Sequence, residues 1–316
     1  MGLAGFYQLI KKQGYLPGCV TLGSLRGKTV AIDGDFVLYQ ALLGHTSGSD
    51  VKAEEVSKPI INWLDLAKKA GITTIFVTTG GPSPIEKQNH CGVVRKRKRE
   101  RQQEKIQELV ELLPTLSEDI GEELCTREKI CRMQNSIRRV TSTMSTQVVD
   151  ILRADGWNCV QAKSEADFLL VMLSEDEKCH FVATDDADII VAGASHVLRG
   201  FTRLLTTSSE TAQDYCRTDI MARLEMNHEC FLEFGSLLAC DYNPQICNVG
   251  PMTAFRMIQK YGSVDKFVRS DAFTVETKNK KRKYTLPAGM TPDVYIQASA
   301  RAVEIFLSRP DRSGSK

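Results

Sequence analysis

The sequence lacks an apolar run near the roughly 20 residues that a membrane-spanning helix needs, so it offers no candidate span. The N-terminus lacks the basic-then-apolar pattern of a secretion signal, and Phe6 stands where a myristoylation motif has Ser or Thr. No two of the ten cysteines have the spacing of a zinc knuckle or a redox motif. We therefore interpret them as reduced thiols of an intracellular protein.

An excess of charge of either sign is also missing, since 41 Lys and Arg balance 39 Asp and Glu. Only local clusters of charge can therefore indicate a binding partner. The composition is typical of a globular protein, with 42% apolar and 25% charged residues, which excludes disorder or a coiled-coil array as the main architecture. A chain of 316 residues is long enough to bury a full core.

Short apolar runs alternate with helical stretches over the first 200 residues. Strands are predicted at 29–32, 72–78, 158–160, 180–183 and 196–198. Helices are predicted at 36–43, 59–70, 94–154, 165–174, 228–239, 253–261 and 292–308, with a connection at 206–218. This alternation predicts an α/β fold with a mostly parallel central sheet flanked by helices. Ligands of such folds bind beyond the carboxyl ends of the strands.

Acidic residues cluster where the predicted strands end. The three clusters are Asp33 with Asp35, Glu165 with Asp167, and Asp185 with Asp186 and Asp188. Asp241 ends an apolar run in the helical part of the chain and could join them. Any one acid alone could cap the following helix, but several at equivalent places are hard to explain as caps. Carboxylates brought together repel one another unless a cation neutralises them, and Mg²⁺ or Mn²⁺ suits oxygen ligands. Two such ions are a common arrangement for phosphodiester hydrolysis.

Basic residues form two runs, with six cations among residues 95–101 and five among residues 278–283. A solvated helix face or a nuclear-localisation signal would explain either run alone. Because the net charge is nearly zero, acids gathered in a cleft and bases gathered in two patches favour binding to a phosphate backbone.

The order of five motifs resembles the flap endonuclease/XPG family of structure-specific 5′ nucleases. The motifs lie at residues 1–6, 30–34, 164–167, 183–188 and 237–242, and residues 248–254 look like the family's helix-two-turn-helix. The resemblance extends from residue 1 to about residue 261. It implies a PIN-like nuclease fold with a helical arch, in which two Mg²⁺ ions, or Mn²⁺ in their place, hydrolyse DNA at a 5′ flap or branch.

Site residues carry over from the family motif by motif. The metal-binding and catalytic carboxylates would be Asp33, Glu165, Asp167, Asp186, Asp188 and Asp241. The residues implied to contact nucleic acid are Gly2, Tyr39, the arch cations Arg95, Lys96, Arg97 and Lys98, and the turn residues Asn248, Gly250, Met252 and Thr253, where K⁺ also binds in the family. The implied segments are a nuclease region with the start of the arch at 1–110, the rest of the arch with a connecting helix at 111–155, an internal nuclease region at 156–308 and a flexible tail at 309–316.

One departure from the family is Thr79, which stands where relatives carry an acid at the end of the second strand. Asp35 is an extra acid nearby that could compensate. The departure leaves open a catalytically weakened member that binds nucleic acid as a scaffold, and an RNA-cleaving nuclease is a further alternative. No Gln-containing, paired-aromatic motif ends the sequence, so we do not expect sliding-clamp recruitment through such a motif. A nuclear location, or another intracellular site of DNA replication, is favoured over the cytoplasm.

Overall fold

The structure is a computed structural model that describes residue 3 and residues 5–44, 51–116, 120–207, 211–238, 240–274 and 284–312. Two of the predicted nucleic-acid contacts, Gly2 and the basic run 278–283, lie outside these residues. Within the described ranges, no helix is both long enough and apolar enough to cross a membrane.

A single sheet of seven strands forms the centre of the described part of the chain. The strands are β1 (Gly18–Val20), β2 (Thr29–Asp33), β3 (Thr73–Thr79), β4 (Cys159–Ala162), β5 (Phe181–Ala183), β6 (His196–Arg199) and β7 (Ala212–Cys216). Their order is β1-β7-β6-β5-β2-β3-β4. The five strands from β6 to β4 run parallel, whereas β7 pairs antiparallel with both β6 and β1. The predicted mostly parallel sheet is therefore confirmed.

Helices surround this sheet and form the rest of the fold. Those before β4 are α1 (Phe6–Lys12), α2 (Gly34–Leu43), α3 (Ala53–Lys69), α4 (Ile85–Lys87), α5 (Val93–Leu112), α6 (Ile120–Ile137) and α7 (Ser142–Ala154). The later ones are α8 (Ala166–Glu175), α9 (Asp188–Ala192), α10 (Phe201–Thr206), α11 (Arg217–Leu224), α12 (His228–Leu237), α13 (Pro251–Tyr261), α14 (Val264–Val268), α15 (Asp271–Thr274) and α16 (Pro292–Phe306).

Four sequence-based predictions differ from the structure. The predicted connection at 206–218 contains β7, and the short edge strand β1 was not predicted. Helix α3 begins at Ala53 rather than at Pro59, because the Glu55 carboxylate accepts a hydrogen bond from the Lys52 N–H at 3.1 Å and fixes an earlier start. The helical region predicted at 94–154 is divided into α5, α6 and α7.

Strand β2 lies at the centre of the sheet and orients the first acidic cluster. Alternate residues of β2 belong to two apolar cores, with Ala31 in one and Val30 and Ile32 in the other, so helices cover both faces. Gly34 directly follows β2 and lies close to the backbone of β3. A Cβ atom at Gly34 would lie 2.6 Å from the Val77 carbonyl oxygen. This close approach explains the glycine directly after Asp33.

The end of the described chain lies against α8. Arg309 pairs with Glu175 at 2.6 Å, and Arg312 reaches both Glu175 and Asp176. The Lys163 N–H also donates to the Asp311 carboxylate at 2.8 Å. These contacts connect the last described residues to helix α8, which contains Asp167, and to the segment between β4 and α8, which contains Glu165.

Candidate active site

The acidic clusters meet at the topological switch point of the sheet, where the order of the strands reverses. From β2 the chain moves outward through β3 to β4, and it then returns to place β5 on the other side of β2. Ile32 pairs with Ala183, so Asp33 at the end of β2 lies beside the acids that follow β5. A crevice at such a switch point is the usual ligand site of an open α/β sheet.

Asp33 is buried and is held by two hydrogen bonds. Its Oδ1 accepts from the Phe36 N–H at 3.1 Å, which caps helix α2, and its Oδ2 accepts from the Thr184 hydroxyl at 2.7 Å. Burial, with the nearby charge of Asp35, raises the pKa of Asp33 to about 7. The structure therefore holds this carboxyl in an environment that opposes its negative charge.

Asp186 and Asp188 lie on the turn between β5 and α9. The Asp188 N–H donates to Asp186 Oδ1 at 3.0 Å, and the Asp186 N–H donates to the Thr184 hydroxyl at 3.1 Å. Asp188 is 5% exposed, and its Oδ1 has no hydrogen-bond partner among the described residues. Burial, followed by the charge of Asp186, raises the pKa of Asp188 well above its usual range. A buried carboxylate oxygen without a donor is suited to a cation.

Glu165 and Asp167 come from the start of helix α8. The Tyr242 hydroxyl donates to Glu165 Oε2 at 2.9 Å, and the Lys87 ammonium lies 2.6 Å from Glu165 Oε1. Burial raises the pKa of Asp167 well above its usual range, although the charge of Lys87 partly opposes this shift. Glu165 therefore faces the cation Lys87, which comes from the segment between β3 and the arch.

Asp241 reaches the same crevice from the helical end of the chain and lies among basic and thiol groups. Its two carboxylate oxygens accept from Arg95 Nη2 at 2.8 and 2.9 Å, and Lys87 Nζ lies 3.3 Å from Oδ2. Cys91 Sγ also donates to Oδ1 at 3.3 Å. Burial opposes the charge of Asp241, but Lys87 and Arg95 outweigh it and lower the pKa of this carboxyl.

Lys87 is a functional candidate that sequence reasoning missed. Burial disfavours its charge, but the carboxylates of Asp167, Glu165 and Asp241 outweigh burial and raise its pKa above the usual value. In the sequence Lys87 is an isolated cation before the basic run, and nothing local marks it. Its functional role depends on Asp167, Glu165 and Asp241, which come from distant segments of the chain.

A π-helical turn lets Lys87 and Arg95 face the same carboxylate. The turn spans Gln88–Gly92, between α4 and α5. Two turns of regular α-helix take about 7.2 residues, whereas Lys87 and Arg95 are eight positions apart. A wider turn absorbs the extra residue, and π turns inside helices are often found at functional sites.

Thr79, which replaces the family's acid, contacts Asp35. The Thr79 N–H donates to Asp35 Oδ2 at 3.2 Å, while the Thr79 hydroxyl accepts from the Ala166 N–H at 3.0 Å. Burial raises the pKa of Asp35, and hydrogen bonds from Thr79 oppose that rise. A carboxylate is therefore present next to position 79, although it comes from α2 rather than from β3.

The donor set fits a hard divalent cation in its chemistry. The acids supply only oxygen ligands, and the buried Asp188 Oδ1, which has no hydrogen-bond partner among the described residues, is suited to a cation. Among the described residues, however, no three Asp, Glu, His or Cys side chains are grouped closely enough to hold a metal ion. The Lys87 ammonium lies between Glu165 and Asp241. The acids therefore fit such an ion in chemical type, and Lys87 supplies positive charge to two of them.

The predicted arch cations divide into two groups on α5. Arg95 is bound to Asp241, as described above, whereas Lys96, Arg97 and Lys98 are exposed. Tyr39 is half-buried on α2, the helix that Asp33 caps. The roles of these residues in binding nucleic acid stay predictions.

The predicted duplex-binding turn leads into helix α13. Asn248 has φ of 65°, and Gln245 Nε2 donates to the Val249 carbonyl at 2.7 Å. Gly250 precedes the first residue of the helix, and Met252 and Thr253 belong to its first turn. The first backbone N–H groups of a helix form a favourable site for phosphate.

The architecture is the PIN-like nuclease fold: a mostly parallel sheet with an acidic crevice at its switch point and helices that carry basic residues beside it. The XPG N-terminal domain matches residues 1–104, and the XPG I-region matches residues 156–241. Together they cover more than half of the chain. The chain belongs to the flap endonuclease/XPG family of nucleases, in which dependence on divalent metal ions is general.

Individual relatives agree with this assignment. Flap endonuclease 1 of Entamoeba histolytica is 29% identical over 306 residues, covering 93% of this chain and 77% of the relative. Among solved structures, the catalytic core of Rad2 in complex with a DNA substrate has a TM-score of 0.62 at 22% identity, covering 86% of this chain and 72% of that one. Flap endonuclease-1 from Methanococcus jannaschii has a TM-score of 0.56 at 16% identity, covering 94% and 98%. At these identities the two structures support the fold.

Proposed function

We propose that the protein is a structure-specific 5′ nuclease that hydrolyses DNA phosphodiesters next to a 5′ flap or branch during replication, repair or recombination. The observation that carries this proposal is that Lys87 and Arg95 pair with Glu165 and Asp241. The same crevice holds four further acids whose charges interact, namely Asp33, Asp167, Asp186 and Asp188. Acids bind the ions that cleave phosphodiesters, and cations bind the phosphate itself. A structural core has no comparable reason to bury so many carboxylates together.

The residues assigned to hold two Mg²⁺ ions, with Mn²⁺ as an alternative, are Asp33, Glu165, Asp167, Asp186, Asp188 and Asp241. When bound, the ions would polarise the phosphoryl oxygen and supply a nucleophilic water. Thr184 orients Asp33 by its 2.7 Å hydrogen bond, and Tyr242 orients Glu165.

Lys87 and Arg95 act on the substrate. These two cations neutralise Glu165 and Asp241 in the structure. With metal ions held by these carboxylates, Lys87 and Arg95 would be available to bind the scissile phosphate. Their position between the acids and the arch suits that role.

DNA on either side of the cut would be held by two separate regions. The exposed cations of α5 suit a displaced single strand, because each phosphate contact adds affinity. The N-terminus of α13 suits the phosphates of a duplex, and K⁺ could join it at the preceding turn. We place the activity in the nucleus or at other intracellular sites of DNA replication.

Cleavage of defined substrates tests the proposal. The purified chain is incubated with end-labelled 5′-flap DNA, single-stranded DNA and a matched RNA flap, in Mg²⁺, Mn²⁺ or EDTA. We expect a cut near the base of the DNA flap with either metal and none in EDTA. Preferred cleavage of the RNA flap would indicate the RNA nuclease instead, and binding without cleavage in any metal would indicate a scaffold.

The alternative of a catalytically weakened scaffold is favoured only by Thr79. Substitutions at positions 35 and 79 test whether Asp35 replaces the acid that relatives carry at position 79. We expect Asp35→Ala to lower cleavage at limiting Mg²⁺ by roughly 10- to 100-fold, the usual effect of removing a group close to a metal site. Thr79→Asp alone should give no gain, because its carboxylate would lie against Asp35. The double variant, with Asp35→Ala and Thr79→Asp, should recover activity. Full activity of Asp35→Ala would show that no carboxylate is needed there.

The exposed arch cations are predicted to bind phosphate. Replacing Lys96, Arg97 and Lys98 by Ala should weaken binding of flap DNA and flatten its salt dependence by roughly 0.7 to 0.9 for each lost contact. Arg95 is left in place because it faces Asp241. The measurement is the slope of log affinity against log salt concentration.

A charge-matched variant controls for the loss of net charge. Replacing the exposed Lys58, Lys69 and Lys178 by Ala removes the same charge from other surfaces and should leave the slope unchanged. If the arch variant binds DNA like this control but loses nuclear import, the basic run is a localisation signal.

A further inference from the structure

Helix α4, which carries Lys87, is held in place by polar contacts more than by burial. None of its three residues, all within the described ranges, is buried, and the Ile85 side chain is 58% exposed. A cavity of about 280 Å³ is lined on one side by the start of α4 and on another by the last turns of α16. Apolar packing usually stabilises a helix in a protein. Because α4 has little of it, its position depends on the polar contacts beside this cavity.

One of these contacts is an ion pair between Glu86, the neighbour of Lys87, and helix α16. Arg301 Nε donates to Glu86 Oε1 at 2.8 Å, across 215 positions of sequence. The hydrogen bond from Arg301 lowers the pKa of Glu86, so this carboxyl is charged at neutral pH. Glu304, one turn further along α16, accepts from Arg301 Nη1 at 2.8 Å. The guanidinium is therefore held by α16 on one side and by α4 on the other.

Helix α16 is itself attached to the part of the core that carries the acids. Phe306 packs edge-on against Tyr242, with 5.6 Å between the ring centroids, and the Tyr242 hydroxyl donates to Glu165. The buried Ser299 and Ser236 hydroxyls lie 2.7 Å apart and join α16 to α12. Helix α16 thus has a fixed position relative to the acidic side of the crevice.

We infer that Arg301 is a positioning residue that holds the Lys87 ammonium at the carboxylates of the crevice by fixing the adjacent Glu86. This inference rests on the proposed nuclease function. It adds a residue from outside the two segments that match the family. A displacement of about 1 Å at a catalytic group can lower a rate by on the order of 10²-fold. An exposed ion pair contributes little to folding, so Arg301→Ala should fold normally.

Kinetics of flap cleavage by Arg301→Ala give the first test. We expect kcat to fall roughly 3- to 10-fold with little change in KM, because the Lys87 ammonium is still present but displaced by less than 1 Å. Arg301→Lys should recover part of the rate, since it restores the charge but not the planar guanidinium. Melting curves establish that each variant folds.

Arg269 provides a matched control at the other end of the same helix. Its side chain is 54% exposed, against 55% for Arg301, and it also pairs with two acids, Asp265 and Asp293. Asp293 lies in the first turn of α16. Arg269→Ala therefore removes an equivalent ion pair from α16 without touching α4, and it should cleave at the wild-type rate.

The decisive comparison combines Arg301→Ala with Lys87→Ala. If Arg301 acts through Lys87, its removal should have no further effect on kcat once Lys87 is absent. The inference is overturned if Arg301→Ala lowers kcat by the same factor with and without Lys87, if Arg269→Ala lowers it equally, or if Arg301→Ala cleaves at the wild-type rate.

Thermal unfolding in EDTA separates this inference from the nuclease proposal. Lys87→Ala should lower the melting temperature, because buried Glu165 loses its partner. This fall should be smaller in the Arg301→Ala background, where the ammonium is already displaced, and unchanged in the Arg269→Ala background. A chain that cleaves flaps but shows the same fall in all three backgrounds keeps its proposed function, and Arg301 loses its role. A chain that cleaves nothing yet shows the smaller fall retains the link from Arg301 to Lys87 and loses the nuclease function.

Discussion

Asp188→Asn and Asp186→Asn should each reduce flap cleavage by at least ~10³-fold, because a catalytic metal contributes several kcal/mol to the transition state. The substitutions keep the size of the side chains and remove one negative charge. Asp188 is the sharper test, since its buried Oδ1 has no hydrogen-bond partner among the described residues. Affinity for flap DNA in EDTA should stay close to that of the wild type, because exposed cations supply most of it.

A measurement without DNA makes this prediction independent of catalysis. Mg²⁺ should raise the melting temperature of the wild-type protein, since a ligand that binds only the folded state stabilises it. The rise should be much smaller for Asp188→Asn. Asp150→Asn removes the same charge from an exposed position on α7 and should respond to Mg²⁺ like the wild type. Undiminished cleavage by both site variants would contradict the assignment of these carboxylates to the metals.

The sheet was predictable because its strands are buried on both faces. Val30-Ala31-Ile32 and Phe181-Val182-Ala183 are short continuous apolar runs, and such runs followed by helices indicate parallel strands. Strands β1 and β7 were missed for the opposite reason. Strand β7 mixes buried and exposed residues, and strand β1, Gly18–Val20, is mostly exposed. The amino-acid composition of both strands therefore resembles that of a loop.

The acids of the site were predictable from their place after strands, whereas their partners were not. Thr184 follows β5 directly, but its hydrogen bond to Asp33 joins residues 151 positions apart. Lys87 likewise depends on Glu165 and Asp241, which come from other elements of the fold. The π turn at Gln88–Gly92 also shifts the helical phase. Regular periodicity would leave Arg95 about 80° around the helix from Lys87, so it does not predict that both contact the same carboxylate.

Lys87 leads to the second large expected effect. Lys87→Ala should lower kcat by ~10²- to 10³-fold, the usual cost of removing one group that stabilises charge in a transition state. The KM for flap DNA should change little, because the exposed cations of α5 remain. Lys87→Arg should recover part of the rate, since it restores the charge but not the compact shape of an ammonium. Single-turnover cleavage at saturating enzyme measures this effect apart from binding.

The same substitution should also change the protein before any substrate binds. Lys87 is the cation nearest Glu165, at 2.6 Å, and its removal leaves a buried carboxylate without that partner. The melting temperature in EDTA should therefore fall, and Mg²⁺ should recover more of it than in the wild type, because the ions no longer displace an ammonium. Lys178→Ala is the control, an exposed lysine that precedes β5 at the opposite end of the sheet. If Lys87→Ala matches this control in both rate and melting temperature, Lys87 has neither a catalytic nor an electrostatic role in the crevice.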